Sequence, residues 1–351
     1  MSNFEALRLL CMLMVLNLHS FFGYTHGGGV WQAIDFFRES TSICAVDCFI
    51  LISGYFGIKW KFKSLFNLVF QLFFYSIGVY LMVVGLRVVD WNISDFIMRF
   101  RCLYTDSWGF AIAYVLLWFC SPALNALAEG TKARQLFIYI IIFFFVINFI
   151  SVPRFALFTY ALVYLIGRLL RKIKVEEIHY SIGKACKAYC ITTVFIFVLV
   201  YFLVFKILHI TDAYKVTSWP VGFLAYDYAA PLVILQAVSL FMIFARFNIH
   251  SKFINWCAES CFAIFLIHMH PTIRSIGYYG FTRGLYELPV TQHVLMLISF
   301  IVGVFCGSIL IDKLRIAISN LSYSLLERVK CLIPEKWYKI ETYMPRLMTI
   351  I

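Results

Sequence analysis

Residues 137–149 read FIYIIIFFFVINF, and residues 192–205 read TTVFIFVLVYFLVF. Neither run alternates apolar with polar side chains, as the strands of a membrane β-barrel do. A helix needs about 20 mainly apolar residues to cross a hydrocarbon core ~30 Å thick, and the chain around each run stays apolar for nearly that length. The two runs therefore predict membrane-spanning α-helices.

The composition of the whole chain agrees with this prediction. Hydrophobic residues make up 62% of the 351 residues and charged residues 14%, whereas about a quarter of an ordinary soluble protein is charged. The 37 Phe and 21 Tyr, beside 8 Pro and 18 Gly, exclude disordered and collagen-like chains. We expect an all-α, polytopic membrane protein.

Ten apolar blocks are long enough to be membrane-spanning helices. Their approximate limits are 5–24, 41–57, 64–86, 107–127, 136–151, 155–171, 186–206, 225–245, 254–271 and 291–311. We expect these helices to form one transmembrane domain over residues 1–315. Residues 316–351 carry apolar side chains at helical spacing among many charges, which predicts an amphipathic cytoplasmic tail on the inner membrane surface.

The net charge of +12 does not indicate a nucleic-acid partner, because the cations follow a membrane topology. With the N-terminus in the cytoplasm, 21 of the 30 Lys and Arg fall on the inner side. The other nine lie on outer loops or at their edges, namely Arg38, Arg87, Arg99, Arg101, Arg154, Lys206, Lys215, Arg274 and Arg283. This distribution follows the positive-inside rule, and an even number of spans then places both termini in the cytoplasm.

The outer connections are the longer ones, at 25–40, 87–106, 207–224 and 272–290. They are rich in Gly, Tyr, Trp, Asp and Arg, which suits the binding of a polar ligand outside the bilayer and is equally typical of solvated loops.

The sequence indicates no metal site. The cysteine pairs Cys44/Cys48, Cys186/Cys190 and Cys257/Cys261 lie four residues apart within predicted helices. Two thiols without a nearby His or further Cys make a poor site for a metal. We expect these cysteines to be small packing residues.

The first predicted helix, residues 4–22 (FEALRLLCMLMVLNLHSFF), carries a cation and an imidazole. Arg8 and His19 are eleven positions apart, which at about 100° per residue is ~20° past three full turns, so both project from one face about 16 Å apart along the axis. Ionisable groups inside a membrane usually face the bundle interior or a water-filled cavity. Alternatively, Arg8 only reaches the inner interface and His19 only hydrogen-bonds a neighbouring helix.

Five segments together resemble the acyltransferase-3 family, integral membrane enzymes that O-acylate sugars and polysaccharides. The first is the helix with Arg8, ten intervening residues and His19. The others follow in the family's order: 45–61 (AVDCFILISGYFGIKWK), 108–127 (WGFAIAYVLLWFCSPALNAL), 159–172 (TYALVYLIGRLLRK) and 259–271 (ESCFAIFLIHMHP). The likeness covers roughly residues 4–315. It departs from the family at Lys59, Lys61 and Lys63, where an Arg-x-x-Arg pair is more usual.

The resemblance implies transfer of an acyl group from acyl-CoA, most often acetyl-CoA, to a sugar hydroxyl. The attacking hydroxyl must lose its proton, and a neutral imidazole is suited to accept it near pH 7, so His19 is the expected general base. Arg8 is the expected contact for the phosphates or pantetheine of CoA. Lys59, Lys61 and Lys63 are expected either to help at the inner surface or to be topology signals alone.

Two further residues are expected in the site. Asp47, in the second predicted span, would either orient His19, as an acid holds a catalytic imidazole, or pair with Arg38. His268 matches the Leu-x-His of the family and would contact the acceptor sugar or stabilise the developing oxyanion, unless it is an ordinary core histidine. His270 lies two residues later and should point to a different face of the helix.

The sequence thus predicts a multi-pass enzyme of the bacterial inner (plasma) membrane, surrounded by membrane lipids. Its acceptor would be a hydroxyl of a cell-surface carbohydrate or its lipid-linked precursor; no oligomeric state is indicated. The alternative is a carrier, flippase or polymerase for lipid-linked glycans. A carrier needs membrane carboxylates for ion coupling, and Asp47 is the one acid clearly inside a predicted span, which favours the enzyme. Outer loops of at most about 20 residues disfavour a polymerase.

Overall fold

The computed structural model describes residues 2–20, 30–101, 108–149, 156–207, 224–225 and 227–330, and the regular elements in these ranges are all helical. The α-helices are α1 (Asn3–His19), α2 (Val30–Ser42), α3 (Ala45–Phe56), α4 (Phe62–Gly85), α5 (Ile93–Arg99), α6 (Gly109–Gly130), α7 (Ala133–Phe149), α8 (Ala156–Lys172), α9 (Ile182–Phe197), α10 (Pro231–Ala245), α11 (Lys252–Ala258), α12 (Cys261–His268), α13 (Tyr279–Gly284) and α14 (Val290–Lys330). Short π-helical segments follow α9 at Val198–Ile207 and precede α13 at Ile273–Tyr278, and a 3-10 turn, Leu285–Glu287, follows α13.

Membrane-spanning character is clearest in the longest helices. Among the described residues, four helical stretches are long and apolar enough to cross a membrane by length and composition, at Phe62–Gly85, Gly109–Gly130, Ile182–Leu203 and Val290–Asn320. Shorter apolar helices occur at Ala133–Phe149 and Pro231–Ala245. The count of ten spans and the cytoplasmic placement of both termini stay predictions.

The predicted connection at 25–40 is wrong over its described part, because residues from Val30 onward belong to α2. This helix buries Gln32, Asp35 and Glu39 and exposes Val30 and Phe37. Its polar residues, rather than its apolar ones, recur at helical spacing on the buried face. A search for apolar blocks therefore passes over it.

The predicted span at 254–271 is also wrong as a single helix. α11 ends at Ala258 and α12 begins at Cys261, so Glu259 and Ser260 form a break. The predicted domain boundary after residue 315 falls inside α14, which continues to Lys330. At about 1.5 Å per residue, its 41 residues span ~62 Å, twice the thickness of a hydrocarbon core. The tail beyond 330 lies outside the described residues.

α3 and α8 pack with their backbones in contact. An added Cβ on Gly54 would lie 2.2 Å from the carbonyl oxygen of Tyr164, and one on Gly167 would lie 2.5 Å from the carbonyl oxygen of Leu51. These glycines belong to the Ser-Gly-Tyr and Tyr-x-x-Gly segments of the sequence. Close approach of helices through small residues is a general device of membrane bundles, which lack a hydrophobic driving force between helices.

The Ser-Pro-x-x-Asn segment of α6, residues 121–125, forms hydrogen bonds to its own backbone and to the neighbouring helices. Pro122 has no N–H to donate to the carbonyl of Trp118, and the hydroxyl of Ser121 donates to that carbonyl instead, at 2.7 Å. Asn125 accepts a hydrogen bond of 2.8 Å from the Tyr164 hydroxyl and donates one of 3.1 Å to a backbone carbonyl just after α3. α6 is thereby joined to both α3 and α8.

We predict that Gly167→Ala destabilises the protein by about 1–3 kcal/mol or more, because overpacking against backbone atoms cannot be relieved by a side-chain movement. The measurement is the thermal transition of the purified protein in detergent. Gly303→Ala is the matched control, since nothing lies within 4 Å of its added Cβ. The control should be neutral or slightly stabilising through helix propensity. Equal transitions for the two variants would contradict the α3–α8 contact.

Candidate active site

A cavity of about 910 Å³ runs along α1. Arg8 near the start of the helix and His19 at its end both line this cavity, with Met12 and Val15 between them. The prediction that Arg8 and His19 share one face is therefore confirmed. Both side chains face this cavity, and 36% of the Arg8 side chain stays exposed.

The walls of the cavity come from α3, α4, α6, α8, α11 and α12, as Val46, Asn67, Tyr114, Tyr160, Asn255 and Phe265 illustrate. The start of α1 is fixed against the chain that leads into α11, because Ser2 N–H donates to the Ile249 carbonyl at 2.8 Å and Asn3 donates to the Phe244 carbonyl at 2.9 Å. This anchoring places Asn255 and Glu259 in the wall beside the first turns of α1.

His19 is hydrogen-bonded to a second histidine. His19 Nδ1 lies 2.8 Å from His268 Nε2, and His268 Nδ1 lies 2.6 Å from the Ile264 carbonyl oxygen. A carbonyl only accepts, so the hydrogen of neutral His268 is on Nδ1 and its Nε2 carries a lone pair. His19 must therefore donate through Nδ1–H. In neutral His19 the basic nitrogen is then Nε2.

The last turn of α1 is held by Arg38 of α2. The Arg38 guanidinium donates to the Asn17 side-chain oxygen at 3.0 Å, to the Asn17 carbonyl at 3.3 Å and to the Ser20 hydroxyl. It also pairs with Asp35 at 2.8 Å, and the Tyr286 hydroxyl donates to the same carboxylate at 2.9 Å. A cation at a helix C-terminus also interacts favourably with the helix dipole. α1 is thus fixed at the turn that carries the imidazole.

Residues 1–313 match the model of the acyltransferase-3 family, an acyltransferase domain. The chain belongs to the acyltransferase-3 family. It is accordingly a membrane acyltransferase in the general sense of that family. Comparison with curated proteins and with solved structures gives no match.

In this family member, Asp47 has neither of its two predicted partners. Asp47 is fully buried in α3, and neither carboxylate oxygen has a hydrogen-bond partner among the described residues. His19 donates to His268 instead, and Arg38 pairs with Asp35. Neither interpretation of Asp47, as an orienting group for His19 or as a partner of Arg38, agrees with these hydrogen bonds.

Asp47 is also not the only buried acid among the described residues, and Asp312 lies within a helical stretch that could cross a membrane. The structure buries Asp35, Glu39 and Asp312 as well. Asp312 accepts from the Tyr75 hydroxyl at 2.5 Å and from Arg315 at 2.7 Å. A count of membrane acids therefore does not separate an enzyme from a carrier, and the family match does.

The two histidines of the Leu-x-His segment have separate surroundings, as predicted from their spacing. Both ring nitrogens of His268 are engaged within the protein, which leaves neither for an acceptor sugar or an oxyanion. His270 donates from Nε2 to the Ser76 carbonyl at 3.1 Å and accepts from Thr272 N–H at Nδ1. His270 is therefore a satisfied core histidine.

The three predicted helper lysines lie outside the cavity wall. Lys59, Lys61 and Lys63 are exposed, and the nearby residues that do line the cavity are uncharged, as Ser64 is. Arg8 is paired with Glu5 at 2.9 Å, and a cation from a different element, Lys313 of α14, pairs with Glu259 at 2.8 Å. Sequence reasoning missed Glu5 and Lys313, although Glu5 precedes Arg8 by one helical turn.

We predict that Asp47→Asn leaves the thermal transition unchanged or raises it, because a buried carboxylate without partners opposes folding. Asp312→Asn is the matched control, since Asp312 is equally buried but bound to Tyr75 and Arg315. Breaking such a buried pair should cost about 3–5 kcal/mol. A fall in the Asp47 variant as large as in the Asp312 variant would show that Asp47 has a stabilising partner.

Proposed function

We propose that the protein transfers an acyl group from cytoplasmic acyl-CoA to a hydroxyl of a cell-surface carbohydrate or its lipid-linked precursor. The expected acyl group is acetyl. The reaction would occur in a bacterial inner membrane, with His19 as general base. The family supports acyl transfer, and the observation that carries the proposal is the hydrogen-bond order at His19, which leaves Nε2 as the basic nitrogen of a cavity-lining imidazole.

The reaction follows from that order. His19 Nε2 accepts the proton of the acceptor hydroxyl while the hydroxyl oxygen attacks the thioester carbonyl carbon. The carbon–sulfur bond then breaks, and the sulfur of CoA leaves with the proton held by the imidazolium. No net proton is gained or lost by the protein, so His19 is neutral again for the next cycle.

His268 is a positioning residue in this mechanism. It holds the ring of His19 through Nδ1–H and so fixes which nitrogen is basic, a task that an aspartate performs in serine hydrolases. The Ile264 carbonyl fixes His268 in turn, because its 2.6 Å hydrogen bond requires the Nδ1–H form. Met12, Val15 and Phe265 give the cavity apolar walls along the path between Arg8 and His19, which limits competing attack by water.

The cavity also suits the donor. Arg8 and His19 lie about 16 Å apart along α1, and the pantetheine arm of CoA is long and thin enough to join a phosphate at Arg8 to a thioester near His19. A guanidinium binds phosphate well because its planar fork matches phosphate oxygens. Arg8 would thus act in donor binding, and His19 in the chemical step.

The test is transfer of label from radiolabelled acetyl-CoA to membrane glycans, with wild type and variants at equal abundance. His19→Ala should lower kcat by about 10²–10⁴-fold, the usual contribution of a general base. Arg8→Ala should mainly raise the KM for the donor. Survival of label transfer in the His19 variant would show that the general base is another group.

A second prediction concerns His268. His268→Gln keeps an oxygen acceptor near the position of Nε2, whereas His268→Leu removes the acceptor and leaves the Nδ1–H of His19 without a partner. We expect His268→Leu to lower kcat by at least about 10²-fold with little change in KM, and His268→Gln to recover a substantial part. Equal kcat values for the two variants, with intact folding, would mean that orientation of His19 does not depend on this hydrogen bond.

A further inference from the structure

Two ion pairs lie at the Arg8 end of the cavity. Arg8 Nη1 contacts both carboxylate oxygens of Glu5, at 2.9 and 3.1 Å. Lys313 Nζ contacts Glu259 Oε2 at 2.8 Å. Glu5, Arg8 and Glu259 all line the cavity. The charges of the two pairs cancel, so this end of the cavity is neutral as it stands.

Both pairs flank the break between α11 and α12. Glu259 is part of the break, and Lys313 lies 4.7 Å from the ring centroid of Trp256 in α11. Cys261, the first residue of α12, lines the cavity together with Arg8 and Glu5. Arg8 of α1 lines the cavity directly, and Lys313 of α14 reaches the cavity wall through its contact with Glu259.

The members of the second pair differ in how firmly they are held. The Lys313 side chain is 14% exposed and lies over an aromatic ring, whereas the Glu259 side chain is 64% exposed. A carboxylate of that exposure loses little when it returns to water, since exposed ion pairs are weak. The lysine would stay in place if Glu259 left.

Arg8 likewise has room for a second anion. Its pairing with Glu5 uses one nitrogen, Nη1. The structure shows no hydrogen bond from Nε or Nη2 of Arg8 to the described residues, so this edge of the guanidinium is available to a phosphate. Glu5 thereby holds the guanidinium in the cavity wall without occupying its fork.

We propose that Lys313 is a second donor-binding cation in addition to Arg8, and that Glu259 is a counter-carboxylate whose place a phosphate of acyl-CoA takes. Glu5 keeps the Arg8 guanidinium in the cavity wall, and a phosphate binds the remaining edge of that guanidinium. This inference rests on the proposed use of acyl-CoA. In the free protein Glu259 neutralises Lys313, and a phosphate of the polyanionic donor exchanges with Glu259. The carboxylate competes with the phosphates of acyl-CoA and of CoA alike, so it limits the affinity for both.

The experiment is equilibrium binding of coenzyme A and of pantetheine, which lacks the nucleotide phosphates, to the purified full chain in detergent. It requires no acceptor. Lys313→Gln should raise the Kd for coenzyme A about tenfold, and Glu259→Gln should lower it about threefold, because the two changes act on the phosphates with opposite sign. The Kd for pantetheine should stay unchanged in both. Lys252→Gln, an exposed lysine at the start of α11, is the matched control and should bind coenzyme A like wild type.

The opposite directions of the two changes in Kd distinguish a role of Lys313 in phosphate binding from a purely structural role of the ion pair. A purely structural ion pair would weaken binding whichever partner is removed, so equal increases in Kd for Lys313→Gln and Glu259→Gln overturn the inference. A parallel change in pantetheine binding overturns it too, because that ligand has no phosphate to meet Lys313. If wild type binds no coenzyme A, the proposed donor is wrong and the inference fails with it, a result distinct from normal binding with unresponsive variants.

Discussion

A neutral imidazole has one N–H, and in His268 that hydrogen is committed to the Ile264 carbonyl. This hydrogen bond determines which ring nitrogen carries the hydrogen in both His268 and His19. It makes His268 Nε2 an acceptor, makes His19 a donor at Nδ1 and leaves the lone pair of His19 on Nε2. The Ile264 carbonyl is a fixed acceptor because it belongs to α12, so the order of donors and acceptors is a property of the backbone.

Contacts from the neighbouring chain fix both ends of α1 and so fix the position of His19 in this chain of hydrogen bonds. Arg38 and Asp35 of α2 hold the last turn of α1, and the anchoring of Ser2 and Asn3 holds its first turn. The short helix α12 ends at His268, so its direction is set by the break at Glu259 and Ser260. Glu259 of this break lines the same cavity as Arg8. One interruption of a helix thus lies between His268, which contacts His19, and the cavity wall near Arg8.

The sequence predicts those features that depend on one helix. The shared face of Arg8 and His19 follows from eleven residues of regular helix and needs no knowledge of neighbours. The separate surroundings of His268 and His270 follow from their spacing in the same way. The membrane character follows from composition. A search for apolar blocks does not find α2, because the buried residues of this helix are polar. The contact between His19 and His268 joins residues 249 positions apart, and periodicity alone does not give the register of two helices. The same limit explains why sequence reasoning does not find the surroundings of Asp47. It also explains why the sequence favours Lys59, Lys61 and Lys63, which follow the Ser-Gly-Tyr segment, over Lys313.

The residue that accepts the hydrogen bond from His19 is a histidine and not an acid, and the apolar surroundings explain why. A carboxylate at that position would be a charge buried in apolar surroundings, which costs several kcal/mol unless it is fully paired. A neutral imidazole supplies the same acceptor nitrogen without that charge. The consequence is that His268 gives little electrostatic support to a protonated His19, so the imidazolium would be short-lived and would pass its proton to the departing sulfur. A neutral pair is therefore suited to a reaction in which one proton is taken up and returned within a single transfer. The charged carboxylate and guanidinium groups that line the cavity, on Glu5, Arg8 and Glu259, lie at its Arg8 end, where a polyanionic donor would need a cation.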